Sequence, residues 1–127
     1  MEANLNEIEI NGIKYIQKDS ISTQKAESLD GMPYVIVRTY SAGVWFGTLK
    51  SLKGSIAIIT NARRLWYWSG AASLSQLAIE GTKRPCDCKF TVTIEDKEGV
   101  YLPQVIEVLP CTEEAIENIK NVKEWKI

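Results

Sequence analysis

The sequence predicts an α+β domain: an antiparallel β-meander of about six strands, preceded by an N-terminal hairpin, with two short helices. Three observations carry that prediction. Between positions 34 and 68 the chain is a succession of runs rich in β-branched and aromatic residues. The links between these runs are two to four residues long, too short for the crossovers of a parallel sheet. Apolar residues recur at helical spacing in only two places, around 74–78 and 116–122.

Taken in order, residues 7–17 alternate isoleucines with polar groups around Asn11-Gly12, a pair suited to the two successive positive φ angles of a type I′ hairpin turn. Positions 18–31 are polar and aperiodic and read as a linker. The chain therefore divides into a hairpin arm and linker over 1–31 and a compact domain over 32–127. Strands are expected at 34–40, 43–50, 55–60 and 63–68, with turns at 41–42, 51–54 and 61–62. A two-residue turn at Ser41-Ala42 sets Arg38 opposite Trp45 and Val37 opposite Phe46. Val35, Val37 and Phe46 then share the core face, with Tyr34, Ile36, Arg38, Tyr40 and Trp45 on the other. Reversal at Asn61-Ala62 places Arg64, Trp66 and Trp68 on one face with Ala57 and Ile59. A helix follows from about 71 to 80, capped by Ser69 or Ser73 and ended by Gly81. Strands are next expected at 89–95 and about 101–109, with Pro103 marking an edge or a bulge in the latter. Thr112 caps a last helix to about 121, Glu113 and Glu114 suit its positive end, and Trp125 packs the tail down. Both sheet faces carry apolar residues and two short helices cover only part of them, which points to a homo-oligomer.

Composition excludes several functions. Fifteen basic against sixteen acidic residues give a net charge of −1, which disfavours nucleic acid as the partner because bulk binding to a duplex neutralises phosphates. No run approaches the length of a membrane span, so no membrane partner is expected, and the acidic start lacks the pattern of a signal peptide, which predicts a cytoplasmic protein. There is no histidine, and the three cysteines are an odd set. Neither a metal site, a cofactor site nor a catalytic pair is therefore expected, and the protein reads as a non-enzyme.

What remains is a binding surface. Arg38, Arg63 and Arg64 with Trp45, Trp66 and Trp68 combine forked phosphate donors with flat rings on which a base can stack. Ser69, Gly70 and Ser73 lie in a small-residue turn before a helix, where backbone N–H groups can approach an anion. The same arginines and rings also suit an aromatic core held by cation–π contacts, and alternation sends Arg63 and Arg64 to opposite faces.

Over about residues 33–127 the chain resembles a family of small bacteriophage and prophage proteins. The resemblance rests on Ser41-Ala42-Gly43-Val44-Trp45-Phe46-Gly47-Thr48-Leu49-Lys50 and on Asn61-Ala62-Arg63-Arg64-Leu65-Trp66-Tyr67-Trp68-Ser69-Gly70-Ala71-Ala72-Ser73-Leu74. It carries no established activity and implies an origin: a phage-type product acting in the cytoplasm of a bacterial host. In that setting the expected function is a sponge that sequesters a nucleotide immune signal. Its partner would be a phosphorylated small molecule, with a cyclic nucleotide or an ADP-ribose derivative as candidates. The alternatives are a protein–protein interaction module, such as a host-enzyme inhibitor or virion accessory, and a single-stranded nucleic-acid binder.

Overall fold

The computed structural model describes residues 32–127; the hairpin expected around Asn11-Gly12 and the linker to position 31 lie outside the described residues. Six strands and two helices follow in order: β1 (Tyr34–Thr39), β2 (Val44–Lys53), β3 (Ile56–Tyr67), α1 (Leu74–Glu80), β4 (Lys89–Phe90), β5 (Val100–Leu102), β6 (Val105–Pro110) and α2 (Glu113–Lys120). All strand pairs are antiparallel, in the order β4-β3-β2-β1-β6, with β5 on β3. The α+β meander is as the sequence predicts. Its register is not.

The β1–β2 connection has three residues, Tyr40 to Ala42, instead of two. Gly43 takes φ +93°, and Thr39 closes the loop, its N–H and hydroxyl both donating to the Gly43 carbonyl at 3.1 and 2.8 Å. One extra residue shifts the pairing by one: Ile36 faces Phe46, Val37 faces Trp45 and Arg38 faces Val44. In a strand that slip exchanges the faces. Phe46 therefore joins Ile36 in one core, and Trp45 packs beside Val35 and Val37 in the other.

Asn61-Ala62 does not reverse the chain. A type I′ turn needs two successive positive φ angles, and only Asn61 (φ +51°) has one. β3 instead runs through as a single twelve-residue strand with a bulge opposite Gly47. A Cβ at Gly47 would stand 2.7 Å from the Thr60 carbonyl, so glycine is what lets β2 cross the bulge. The bulge still keeps Ala57, Ile59 and Ala62 in one core while Arg63 and Leu65 turn to the other face.

The strand expected at 89–95 is reduced to β4 and one bridge between Ile94 and Ala62. The strand expected at 101–109 breaks at Pro103-Gln104, where Gln104 has φ +54°. Its halves pair with different partners, β5 with β3 and β6 with β1. This closes the sheet on itself around Val35, Val37, Ala57, Ile59, Ala62 and Leu102. On this face the chain's own β5–β6 segment supplies the cover, with Val100, Leu102, Val105 and Val108 packed in that core.

The opposite face carries the helices. Ile36, Phe46, Leu65 and Phe90 pack under Leu74, Leu77 and Ala78 of α1 and Ala115, Ile116 and Ile119 of α2. Each of the leucine, isoleucine and phenylalanine side chains, removed from water, contributes about 1.5–3 kcal/mol. α1 begins at Leu74, later than the expected 71, because Ser73 accepts from the Gln76 N–H and Gln76 in turn accepts from the Ala72 N–H. Gly81 (φ +77°) ends it, and Asn118 of α2 bonds both the N–H and the carbonyl of Thr82. Thr112 caps α2 and donates to the Ile79 carbonyl, locking the two helices together.

Candidate functional site

Where β2, β3 and β4 lie side by side, the sheet face opposite the helices bears a ladder of rings and cations. Trp45 is fixed by its indole N–H, which donates to the Ala42 carbonyl at 2.9 Å. The Arg64 guanidinium lies between Trp45 and Trp66, with its carbon 5.7 and 5.0 Å from their ring centroids. It rests on the Cα of Gly43, where a Cβ would come within 2.7–2.9 Å of its nitrogens and carbon. Glycine at that loop end therefore serves the turn and the arginine together. Trp66 stands 56% exposed, and Trp125 lies nearly parallel to it, 9° between planes and 6.4 Å between centroids. Lys89 completes the row, its Nζ 5.6 Å from the Trp125 ring.

Among the described residues, Arg64 differs from the other arginines in having no side-chain acceptor. Its backbone N–H bonds the Thr91 hydroxyl, but its side-chain N–H groups meet no carboxylate or carbonyl among the described residues. A guanidinium held between two indoles with its fork of donors unused is arranged to receive an anion. Beyond Trp125 the surface continues into an open groove of about 660 Å³, whose lining includes Cys86, Asn121, Lys123, Trp125 and Lys126. Two of those side chains are cationic, and Lys126 approaches Glu124 at 4.0 Å.

Of the nine residues the sequence nominates, the structure brings together Trp45, Arg64 and Trp66. Arg63 leaves the set: it is buried on the opposite face, and its N–H groups donate to the carbonyls of Thr91, Ile119, Phe90 and Val122. Burial holds its pKa below the ordinary arginine value, with the charge of Glu124 opposing. Arg38 also leaves. The register slip separates it from Trp45, and it pairs with Glu107 across the β1–β6 ladder, Nε to Oε1 at 3.5 Å. Trp68 packs against the helical core.

The turn at Ser69, Gly70 and Ser73 is already filled. Thr82 donates its hydroxyl to the Ser69 carbonyl, Lys83 N–H donates to the Gly70 carbonyl at 3.1 Å, and Ser73 is spent on the α1 cap. A Cβ on Gly70 would strike the backbone nitrogens of Lys83 and Arg84, so no room for an anion is left there.

Sequence reasoning missed Lys89 and gave Trp125 only a packing role. They meet Trp66 because the tail adds to β4: Glu124 bridges Phe90 in parallel, and the Trp125 N–H donates to the Phe90 carbonyl at 2.8 Å. No local sequence signal marks that pairing.

The family described as a domain of unknown function (DUF6948) matches residues 32–119, more than half of the chain. The chain belongs to the DUF6948 family. The matched span holds Trp45, Arg64, Trp66 and Lys89, while Trp125 lies beyond it. No curated protein matches the DUF6948 chain, and no solved structure does. Among its described residues no group of three or more His, Cys, Asp or Glu is placed to hold a metal ion, and no helix is long and apolar enough to cross a membrane.

Proposed function

We propose that this protein is a non-catalytic capture protein for a planar, phosphorylated ligand of the nucleotide class. The base stacks on the Trp66–Trp125 pair, and phosphate oxygens take the free fork of Arg64, with Lys89 as the second cation. The observation that supports this is the pairing of a guanidinium without an acceptor among the described residues with two nearly parallel indoles, Trp66 exposed and Trp125 half-buried. Stacking contributes about 1–3 kcal/mol per base, and a charged hydrogen bond about 1.5–3 kcal/mol. In the phage-type setting implied by the sequence resemblance, capture without turnover makes the protein a sponge for a nucleotide immune signal in the host cytoplasm.

The test is a calorimetric titration with AMP, a cyclic dinucleotide and ADP-ribose. Wild type binds at least one, Arg64→Ala and Trp66→Ala each weaken it about 5- to 150-fold, and the ligand returns chemically intact after denaturation. Absence of binding by all three, or a processed ligand, rejects the reading. A protein partner is the second reading. Trp66 is more than half exposed at the end of β3, the posture of an aromatic anchor at an interface. It predicts a host protein retained in pull-down by wild type and released by Trp66→Ala, with no response to nucleotides.

A further inference from the structure

Arg63 touches none of the three indoles of the ladder, yet it grips both segments that hold Trp125. Its Nε donates to the Thr91 carbonyl at 2.6 Å and its Nη2 to the Phe90 carbonyl at 3.4 Å, so two of its bonds fix β4 and its continuation. Its Nη1 donates to the Ile119 carbonyl at 2.6 Å and its Nη2 to that of Val122, so the others fix the end of α2 and the start of the tail. Those carbonyls sit at the negative end of α2, where a cation is favoured; the Ile119 carbonyl accepts from Arg63 and from the Val122 N–H at 3.3 Å. The Phe90 carbonyl is shared: it accepts from Arg63 and from the backbone N–H of Trp125. Glu124, whose charge reaches Arg63, is the residue that bridges Phe90 and precedes Trp125.

A buried guanidinium whose hydrogen bonds all go to backbone carbonyls is an expensive way to fill a core, since apolar side chains of similar volume often serve stability as well or better. What an apolar side chain does not supply is a fixed spacing between β4 and the end of α2. We infer that Arg63 is the positioning residue of the ligand platform: by holding the carbonyls of β4 and of the α2 terminus on one rigid fork, it sets where Trp125 stands beside Trp66. The functional half of this inference rests on the reading of the indole pair as a ligand platform. The geometric half does not.

The experiment uses the full chain as wild type, Arg63→Lys, Arg63→Met, Trp125→Ala and the double variant Arg63→Met/Trp125→Ala. Two readouts are taken: the exciton couplet of the Trp66–Trp125 pair in circular dichroism, and affinity for whichever of AMP, the cyclic dinucleotide or ADP-ribose binds wild type. Arg63→Lys, with one nitrogen in place of a fork, unfolds cooperatively but loses the couplet, and its affinity falls to the level of Trp125→Ala. The double variant binds no more weakly than Trp125→Ala alone. A folded Arg63→Lys with a full couplet and unchanged affinity overturns the inference. If none of the ligands binds wild type, the ligand reading fails and the couplet alone decides the role of Arg63. If both Arg63 variants fail to fold, hydrogen exchange on wild type decides. A Trp125 amide protected like those of β3 supports the fixed platform, and one exchanging as fast as the Asp96–Gly99 loop overturns it.

Discussion

Gly43→Ala is the substitution that probes turn and site together. At φ +93° Gly43 lies outside the narrow left-handed well open to other residues, and forcing a Cβ there costs about 1–3 kcal/mol in backbone strain. The new methyl would stand 2.7–2.9 Å from Arg64 Nη2, Nε and Cζ, the far end of a flexible side chain, so Arg64 swings away from the loop. It then gives up its places over Trp45 and Trp66, worth about 0.5–1 kcal/mol each. The expected total is about 2–5 kcal/mol, or a Tm lowered by roughly 10–25 °C for a domain of this size. Urea titration at constant m-value measures it, and a double-mutant cycle with Arg64→Ala isolates the arginine's share. In the Arg64→Ala background the penalty shrinks by about 1–2 kcal/mol. Gly54→Ala is the control. It sits at φ +58° with open space around it and costs about 1 kcal/mol whatever stands at position 64. Additive behaviour of Gly43→Ala and Arg64→Ala would refute the packing of the guanidinium on the loop.

Other outcomes follow from the same geometry. Phe90→Ala empties a fully buried position beside Arg63 and lowers stability by about 3–5 kcal/mol in denaturant titration. Ser73→Ala and Thr112→Ala each remove a helix cap and cost about 1 kcal/mol, read as a shift of the urea midpoint. Burial pushes the Cys111 thiol up to about 12, so thiol reagent at pH 8 labels exposed Cys86 fast and Cys111 only as fast as the protein opens. Because the folded state raises that pKa, the linked stability is intact below about pH 9 and is lost as pH rises towards 12. An alkaline series of melting curves checks this, and Cys111→Ala flattens the slope.

How much of this was legible in the sequence depended on how local each determinant is. The helix caps at Ser73 and Thr112 and the stop at Gly81 are set by neighbours within a few positions, and they stand where the residues predict. Loop geometry was the weak point. Ser41-Ala42-Gly43 fits a two- or a three-residue loop equally well by composition, yet the choice exchanged the faces of β1 and moved Arg38 away from Trp45. Asn61 can enter the left-handed region either to turn a hairpin or to bulge a strand, and its sequence neighbours do not distinguish the two. The separation of Arg63 from Arg64 was readable from alternation alone. That Arg63 would take the structural role and Arg64 the open one was not, because it depends on which face the helices cover. Trp125 and Lys89 join the ladder through a pairing of the tail with β4 that no periodicity announces.

The split of the last strand pair bears on how this protein is born. Val35, Val37 and Ile59 leave the ribosome before the segment that shields them, Val100 to Pro110, is synthesised. Until it arrives the nascent meander carries a bare greasy surface and an unclosed rim, a condition prone to clumping and to capture by chaperones. Shortening the chain before position 100 therefore yields an insoluble fragment, whatever the strength of its first three strands.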